Sequence, residues 1–234
     1  MKIKLYEVRE DEKKAIAPVA EDLGVEVSIS SENLTPQEAE GLSGIDGVSI
    51  LGRTTVDKEL LDSLKRAGVG YVSTRTIGYN HMDVEYASKV GIHLCNANYP
   101  PYGVAEFTIM LMLLALRKYK PAMWRQMVND YSLSGLQGRE LRNMTVGVMG
   151  TGKIGRAVIG DLQGFGCKIL AYDPYPSADL QGMAEYVDED TLLENSDIIT
   201  LHIPLMESTR HMNNREAIAK MKKGVEIVNA SRGE

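Results

Sequence analysis

The sequence has no basic block, and its charge balance is acidic: 26 lysines and arginines stand against 32 aspartates and glutamates, a net charge of −6. Binding to nucleic acid or to an anionic membrane therefore gains no electrostatic support, and the surplus acid reads as a solubility feature. Cysteine is scarce. Cys95 and Cys167, both in apolar strand-like stretches, are expected as buried free thiols in a reducing cytoplasm. No charged segment followed by an apolar core opens the sequence, so no secretory leader is expected. The longest apolar run, Phe107 to Leu116, is too short to span a bilayer. No metal-ligating set is read from the sequence. What remains is ordinary for a globular chain: 234 residues, 44% hydrophobic and 25% charged, enough for one large or two small domains.

The most informative stretch is Met144 to Asp173, MTVGVMGTGKIGRAVIGDLQGFGCKILAYD. Val146 to Met149 reads as a buried strand. Gly150, Gly152 and Gly155 follow in the spacing G-x-G-x-x-G, and Ile154, Ala157, Val158 and Leu162 then repeat at helical spacing. A second strand, Cys167 to Tyr172, ends on Asp173, 18 residues after Gly155. Each part has a physical task. Gly150 permits a tight turn, Gly152 admits a pyrophosphate close to the backbone, and Gly155 lets helix and strand pack closely. The helix start offers free N–H groups and the positive end of its dipole. Asp173 can accept hydrogen bonds from the adenosine ribose and repels a 2′-phosphate, which favours NAD over NADP. A lone glycine motif is weak, but here strand, helix and acid all agree with dinucleotide binding.

Elsewhere strands and helices alternate. Ile3 to Val8, Val25 to Ser30, Gly47 to Leu51, Val69 to Thr74 and Ile92 to Asn96 read as strands. Asp11 to Asp22, a segment capped by Thr35-Pro36-Gln37-Glu38, Lys58 to Ala67, and Met82 to Val90 read as helices. This is the pattern of a parallel α/β sheet. Asn98-Tyr99-Pro100-Pro101 interrupts it and reads as a hinge, giving domains 1–98 and 99–234. Val104 to Lys118 is then a long helix with apolar residues nearly all round. Such a helix is expected to be buried on more than one face, and a second subunit is one way to do this. Tyr131 to Arg142 reads as a linker. Asp197 to Ile203, closed by Pro204, and Val225 to Ala230 read as strands flanking a helix over Asn214 to Lys222. Ser231-Arg232-Gly233 stands at the carboxyl end of the last strand, where ligands of open α/β sheets bind.

Together GVMGTGKIGRAV with Asp173, LHIPL (Leu201 to Leu205), VNASRG (Val228 to Gly233), STRTIGYNHMDVEYASKVGI (Ser73 to Ile92) and NYPPYGVAEFTIMLML (Asn98 to Leu113) resemble the D-isomer-specific 2-hydroxyacid dehydrogenases over nearly the whole chain. Gly78-Tyr79-Asn80-His81-Met82-Asp83 looks most like the D-lactate dehydrogenases, especially the vancomycin-resistance type. The resemblance implies a flavodoxin-like substrate domain, a Rossmann NAD-binding domain, reduction of pyruvate or a related 2-oxo acid, and a homodimer formed through the Val104–Lys118 helix.

The resemblance also assigns roles. Arg232 matches the arginine that holds the substrate carboxylate and polarises its carbonyl, tasks suited to a fixed planar cation. The backbone N–H groups of Ile77 and Gly78 match a carboxylate cradle, and Tyr99 matches a substrate-side tyrosine. Lys153 and Ile154 match the helix start under the pyrophosphate. Ile203, Pro204 and Thr209 match the wall along the adenosine half, and Ala230, Ser231 and Arg232 match contacts near the nicotinamide.

The family's proton-donating histidine, and the glutamate that raises its pKa, come after the arginine. The sequence stops two residues after Arg232. A truncated chain of very low activity is therefore expected, with an NAD(H) sensor lacking turnover as the alternative. His93 and His202 read as structural or non-catalytic. His81, beside the cradle, is the local candidate to replace the lost acid; His211 has no assigned role.

Overall fold

Short strands joined by helices build two parallel sheets in a computed structural model that describes residues 1–233. The chain divides into two compact units, Met1–Tyr99 and Pro100–Glu234.

In the first unit the elements are β1 (Lys2–Leu5), α1 (Glu10–Asp22), β2 (Glu26–Ile29), α2 (Pro36–Glu40), β3 (Gly47–Ile50), α3 (Lys58–Ala67), β4 (Tyr71–Thr74), α4 (Val84–Val90) and β5 (His93–Asn96). All pairings are parallel and the order is β2-β1-β3-β4-β5. That is the flavodoxin-like order, which reverses direction at β1 and β3. Local chemistry places the helices. Thr35 caps α2, accepting a hydrogen bond from Glu38 N–H, with Pro36 at the first helical position. Asp57 caps α3 and Gly68, left-handed at φ 85°, ends it. The α3 side chains Leu60, Leu61 and Leu64 are fully or almost fully buried with Val48, Ile50 and Val72 of the sheet. Each such side chain contributes about 2 kcal/mol by leaving water.

The second unit contains α5 (Tyr102–Leu116), α6 (Tyr119–Met127), β6 (Thr145–Met149), α7 (Lys153–Leu162), β7 (Lys168–Tyr172), β8 (Glu185–Tyr186), α8 (Glu189–Asn195), β9 (Ile198–Leu201), α9 (Arg215–Lys220) and β10 (Glu226–Asn229). Its parallel sheet runs β10-β9-β6-β7-β8, the Rossmann order around a central β6. Successive strand residues face opposite ways. Val146, Val148, Ile169, Ala171 and Ile198 pack with α5 and α7 on one face. Met149, Leu170, Ile199 and Leu201 pack with Leu192, Leu193 and Ala217 on the other.

Two sequence-based expectations change. Cys95 is exposed and Cys167 only partly buried; β5 is an edge strand, so the Cys95 side of it has no cover. The expectation that α5 is buried on more than one face involves a second subunit; in the single chain Ala105, Met112 and Leu116 are buried, and Phe107 and Met110 are 53% and 42% exposed. Its helical run also ends at Leu116, because Lys118 adopts φ 53° and turns the chain into α6, an additional helix that the sequence pattern did not signal.

Candidate functional site

The glycine turn follows β6 directly. Gly150 has φ 90°, and a Cβ there would lie 2.7 Å from the carbonyl oxygen of His202. A Cβ on Gly155 would lie 1.9 Å from the Gly150 carbonyl oxygen, so helix α7 reaches β6 only because both side chains are absent. Gly152 is different: a Cβ there would meet nothing within 4 Å. It is the N-cap of α7, makes no side-chain cap bond, and no acid follows in the first helical turn. The N-terminus of this ten-residue helix thus opens on clear space with no acid of its own to satisfy its donors. This is a cradle that a pyrophosphate fits.

Asp173 stands just past β7 and is partly exposed. Its Oδ2 accepts hydrogen bonds from the Thr151 backbone N–H (2.6 Å) and hydroxyl (3.1 Å), and its Oδ1 accepts one from Tyr175 N–H (2.8 Å). The acid is therefore tied to the middle residue of the glycine turn. Thr151 is not among the residues that the sequence pattern singles out, although its place between Gly150 and Gly152 was the available signal.

At the carboxyl ends of β9 and β10 a cavity of about 480 Å³ is lined by residues that include Ile203, Pro204, Thr209, Asn229, Ser231 and Arg232. Thr209 is fixed by its hydroxyl, which donates to the Pro204 carbonyl at 2.7 Å. Ser231 donates its hydroxyl to Leu201 O (2.9 Å) and its N–H to Asn229 Oδ1 (2.9 Å), while Asn229 Nδ2 donates to the Arg232 carbonyl. Asn229, absent from the sequence-based site, thus shapes the turn that presents the exposed Arg232. Ala230 precedes that turn and is partly buried; Lys153 and Ile154 begin α7. His202 pairs its Nε2 with Thr200 Oγ1 at 3.0 Å, and burial pushes its pKa down to about 4. It is neutral at pH 7 and holds no proton to give as an imidazolium.

In the first unit the Ile77–Gly78 backbone is held by its carbonyls. Asn96 Nδ2 donates to Ile77 O and the Thr76 hydroxyl donates to Gly78 O, both at 2.7 Å. Among the described residues neither the Ile77 nor the Gly78 N–H meets an acceptor, so both remain available to an anion. Tyr99 is 46% exposed. The His81 carbonyl accepts Val56 N–H at 2.8 Å, which places His81 just past the Ile77–Gly78 turn.

Residues 109–234 match the family model of the D-isomer specific 2-hydroxyacid dehydrogenase, NAD binding domain. An aromatic 2-oxoacid reductase of Clostridium sporogenes is 42% identical over 235 residues, covering 100% of this chain and 71% of that protein. The apo structure of D-lactate dehydrogenase from Escherichia coli superposes with a TM-score of 0.89 at 38% identity, covering 100% of this chain and 74% of that one. D-lactate dehydrogenase from Aquifex aeolicus, complexed with NAD and lactic acid, gives 0.87 at 30% identity, covering 99% and 69%. With its glycine cradle, its acid at the end of β7 and these likenesses, the chain belongs to the NAD-dependent D-isomer-specific 2-hydroxyacid dehydrogenase family, and its cofactor is NAD.

Proposed function

We propose that this is a D-lactate dehydrogenase sequence, in which residues 99–234 bind NAD(H) and residues 1–98 serve the substrate, pyruvate or a near relative. The observation that carries the reading is the cavity that gathers Ile203, Pro204, Thr209, Ser231 and Arg232. When bound, NADH supplies the hydride that reduces the 2-oxo carbon. The protein's own part is to orient and polarise. Arg232 engages the carboxylate and keto oxygen of the 2-oxo acid, drawing electron density from the carbon that is attacked. In the first unit, the N–H groups of Ile77 and Gly78 suit a carboxylate, and Tyr99 supplies an exposed aromatic surface.

Completion of the reaction also needs a proton on the new hydroxyl oxygen. His202 is held neutral at pH 7 by burial and is not that donor. The test is NADH consumption with a panel of 2-oxo acids, alongside a thermal shift with NADH. Stabilisation by NADH with consumption of NADH on pyruvate is the result expected. Preference for a large aromatic 2-oxo acid removes the pyruvate assignment. Stabilisation that persists without turnover in a chain extended through the family's histidine favours an NAD(H) sensor instead.

The exposed face of α5 and α6 supports a homodimer. Phe107, Met110, Trp124 and Met127 are all exposed, and a groove of about 510 Å³ beside them is lined by Ile109, Leu113, Leu114 and Tyr119. An apolar surface of this kind marks an interaction site. Light scattering that gives a monomer at micromolar concentration rejects this. A location in the cytoplasm is part of the same proposal, in keeping with free thiols.

A further inference from the structure

The acid that faces the ribose is the end of a hydrogen-bond chain that starts on the edge strand of the second sheet. Ser177 N–H donates to the Tyr186 hydroxyl (2.9 Å), and Tyr186 donates to Thr151 Oγ1 (2.9 Å). The Thr151 hydroxyl then donates to Asp173 Oδ2 (3.1 Å). Every proton points the same way, towards the carboxylate. Thr151 is 4% exposed, so its hydroxyl has no competing water shell. Tyr186 lies on β8, in register with Ala171 of β7, just before the end of the strand that delivers Asp173. The same loop is tied from the α7 side by the ion pair of Arg156 with Asp179.

A carboxylate offers about four acceptor sites. Three are filled from within the protein: two on Oδ2 by Thr151 and one on Oδ1 by Tyr175. One acceptor position remains on an anion that is held by three bonds and is partly exposed. A ribose hydroxyl can donate to it. A 2′-phosphate brings further acceptors and negative charge, and meets no donor from this chain of bonds. A carboxylate free to rotate would discriminate less, because it could swing away from a phosphate.

We propose that Tyr186 and Thr151 are positioning residues for dinucleotide selectivity: they lock Asp173 in the orientation that accepts NADH and excludes NADPH. This rests on the reading of Asp173 as the ribose-binding acid. The chain of bonds was invisible in the sequence because Tyr186 lies 35 residues from Thr151.

The experiment is a titration of the 234-residue protein with NADH and, separately, NADPH, read by nicotinamide fluorescence, so that no turnover is needed. Tyr186→Phe and Thr151→Val are each expected to weaken NADH roughly five-fold, the loss of one hydrogen bond, while NADPH binding stays level or rises. Thr151→Ser keeps the hydroxyl and is expected to restore the parent ratio. An equal loss for both dinucleotides means a merely structural role and overturns the proposal, as does an unchanged ratio in both variants. Asp173→Ala is the reference variant. If it leaves the ratio unchanged, the Asp173 assignment falls and the proposal with it. If the parent protein binds neither dinucleotide, the cofactor reading itself fails first.

Discussion

Each unit of this protein uses a carboxylate to hold a loop at the carboxyl end of its sheet, and the two do so with opposite consequences. In the first unit Glu7, left-handed at φ 55° and 0% exposed, accepts the backbone N–H groups of Gly52, Arg53 and Thr54, each at 2.9 Å. In the second, Asp173 accepts two donors from Thr151 and one from Tyr175, but remains partly exposed. The chemistry of capture is the same. The difference is access. A sealed carboxylate can only organise its own chain, whereas one at a rim keeps acceptor capacity for a ligand. The likeness lies in hydrogen-bond count, and the difference lies in burial.

The largest effect expected concerns the packing of α7 against the glycine turn. Gly155→Val places a branched side chain where even a Cβ would lie 1.9 Å from the Gly150 carbonyl oxygen. Overpacking of this kind costs about 3 kcal/mol. Thermal unfolding should drop sharply and NADH binding should vanish. Gly152→Ala, whose Cβ meets nothing, should keep the unfolding midpoint and lose only NADH affinity. Equal loss of stability in both would mean that the turn is not divided between packing and ligand approach.

Next comes the sealed acid. Glu7→Ala strands three backbone donors and should cost about 3 kcal/mol in denaturant unfolding. NADH affinity of the folded variant should match the parent. A changed affinity would break the contrast between the two acids.

Acid titration sharpens the comparison by separating the units. Burial alone would raise the Glu7 pKa, but hydrogen bonds from Thr54, Arg53 and Gly52 outweigh it and hold it below the ordinary value of 4.5. Its contribution is therefore present above 4.5 and is lost as pH falls through the depressed folded value. His202 is held neutral by burial, with a pKa of about 4 against 6.5 in the unfolded chain. Its cost to stability therefore begins as pH falls below 6.5 and grows until about 4. The second unit should weaken first on acidification. His202→Gln should flatten stability between those values, and Glu7→Gln should flatten it only below about 4.5. Superimposable pH profiles for parent and His202→Gln would refute this.

The smallest effects should be alike in both units. Asp57 caps α3 by accepting from Leu60 N–H, and Asp188 caps α8 by accepting from Thr191 N–H. Replacing either by alanine should cost about 1 kcal/mol, measured by denaturant midpoint, and neither should alter NADH affinity.

Much of this was legible in the chain itself. The glycine spacing with its strand, helix and acid marked the second unit's nucleotide fold, because glycine is demanded where backbone meets backbone and no other residue substitutes. Thr35-Pro36, Asp57 and Gly68 marked helix ends by chemistry that acts within a few residues. What the sequence left dark was of another kind. The exposure of Cys95 depended on β5 taking the edge of its sheet. The turn into α6 depended on one left-handed residue, Lys118, with no glycine to announce it.

The sequence alone therefore marked most of the strands and helices, though not α6, β8 or α8, together with the glycine turn and the arginine that stands at a strand end, since each follows from neighbours along the chain. Only the tertiary structure decided that Glu7 is sealed, that Asp173 is open, and that Tyr186 reaches it through Thr151. Burial and long-range hydrogen bonds are set by which strands pair, and strand order joins residues that the chain itself keeps far apart.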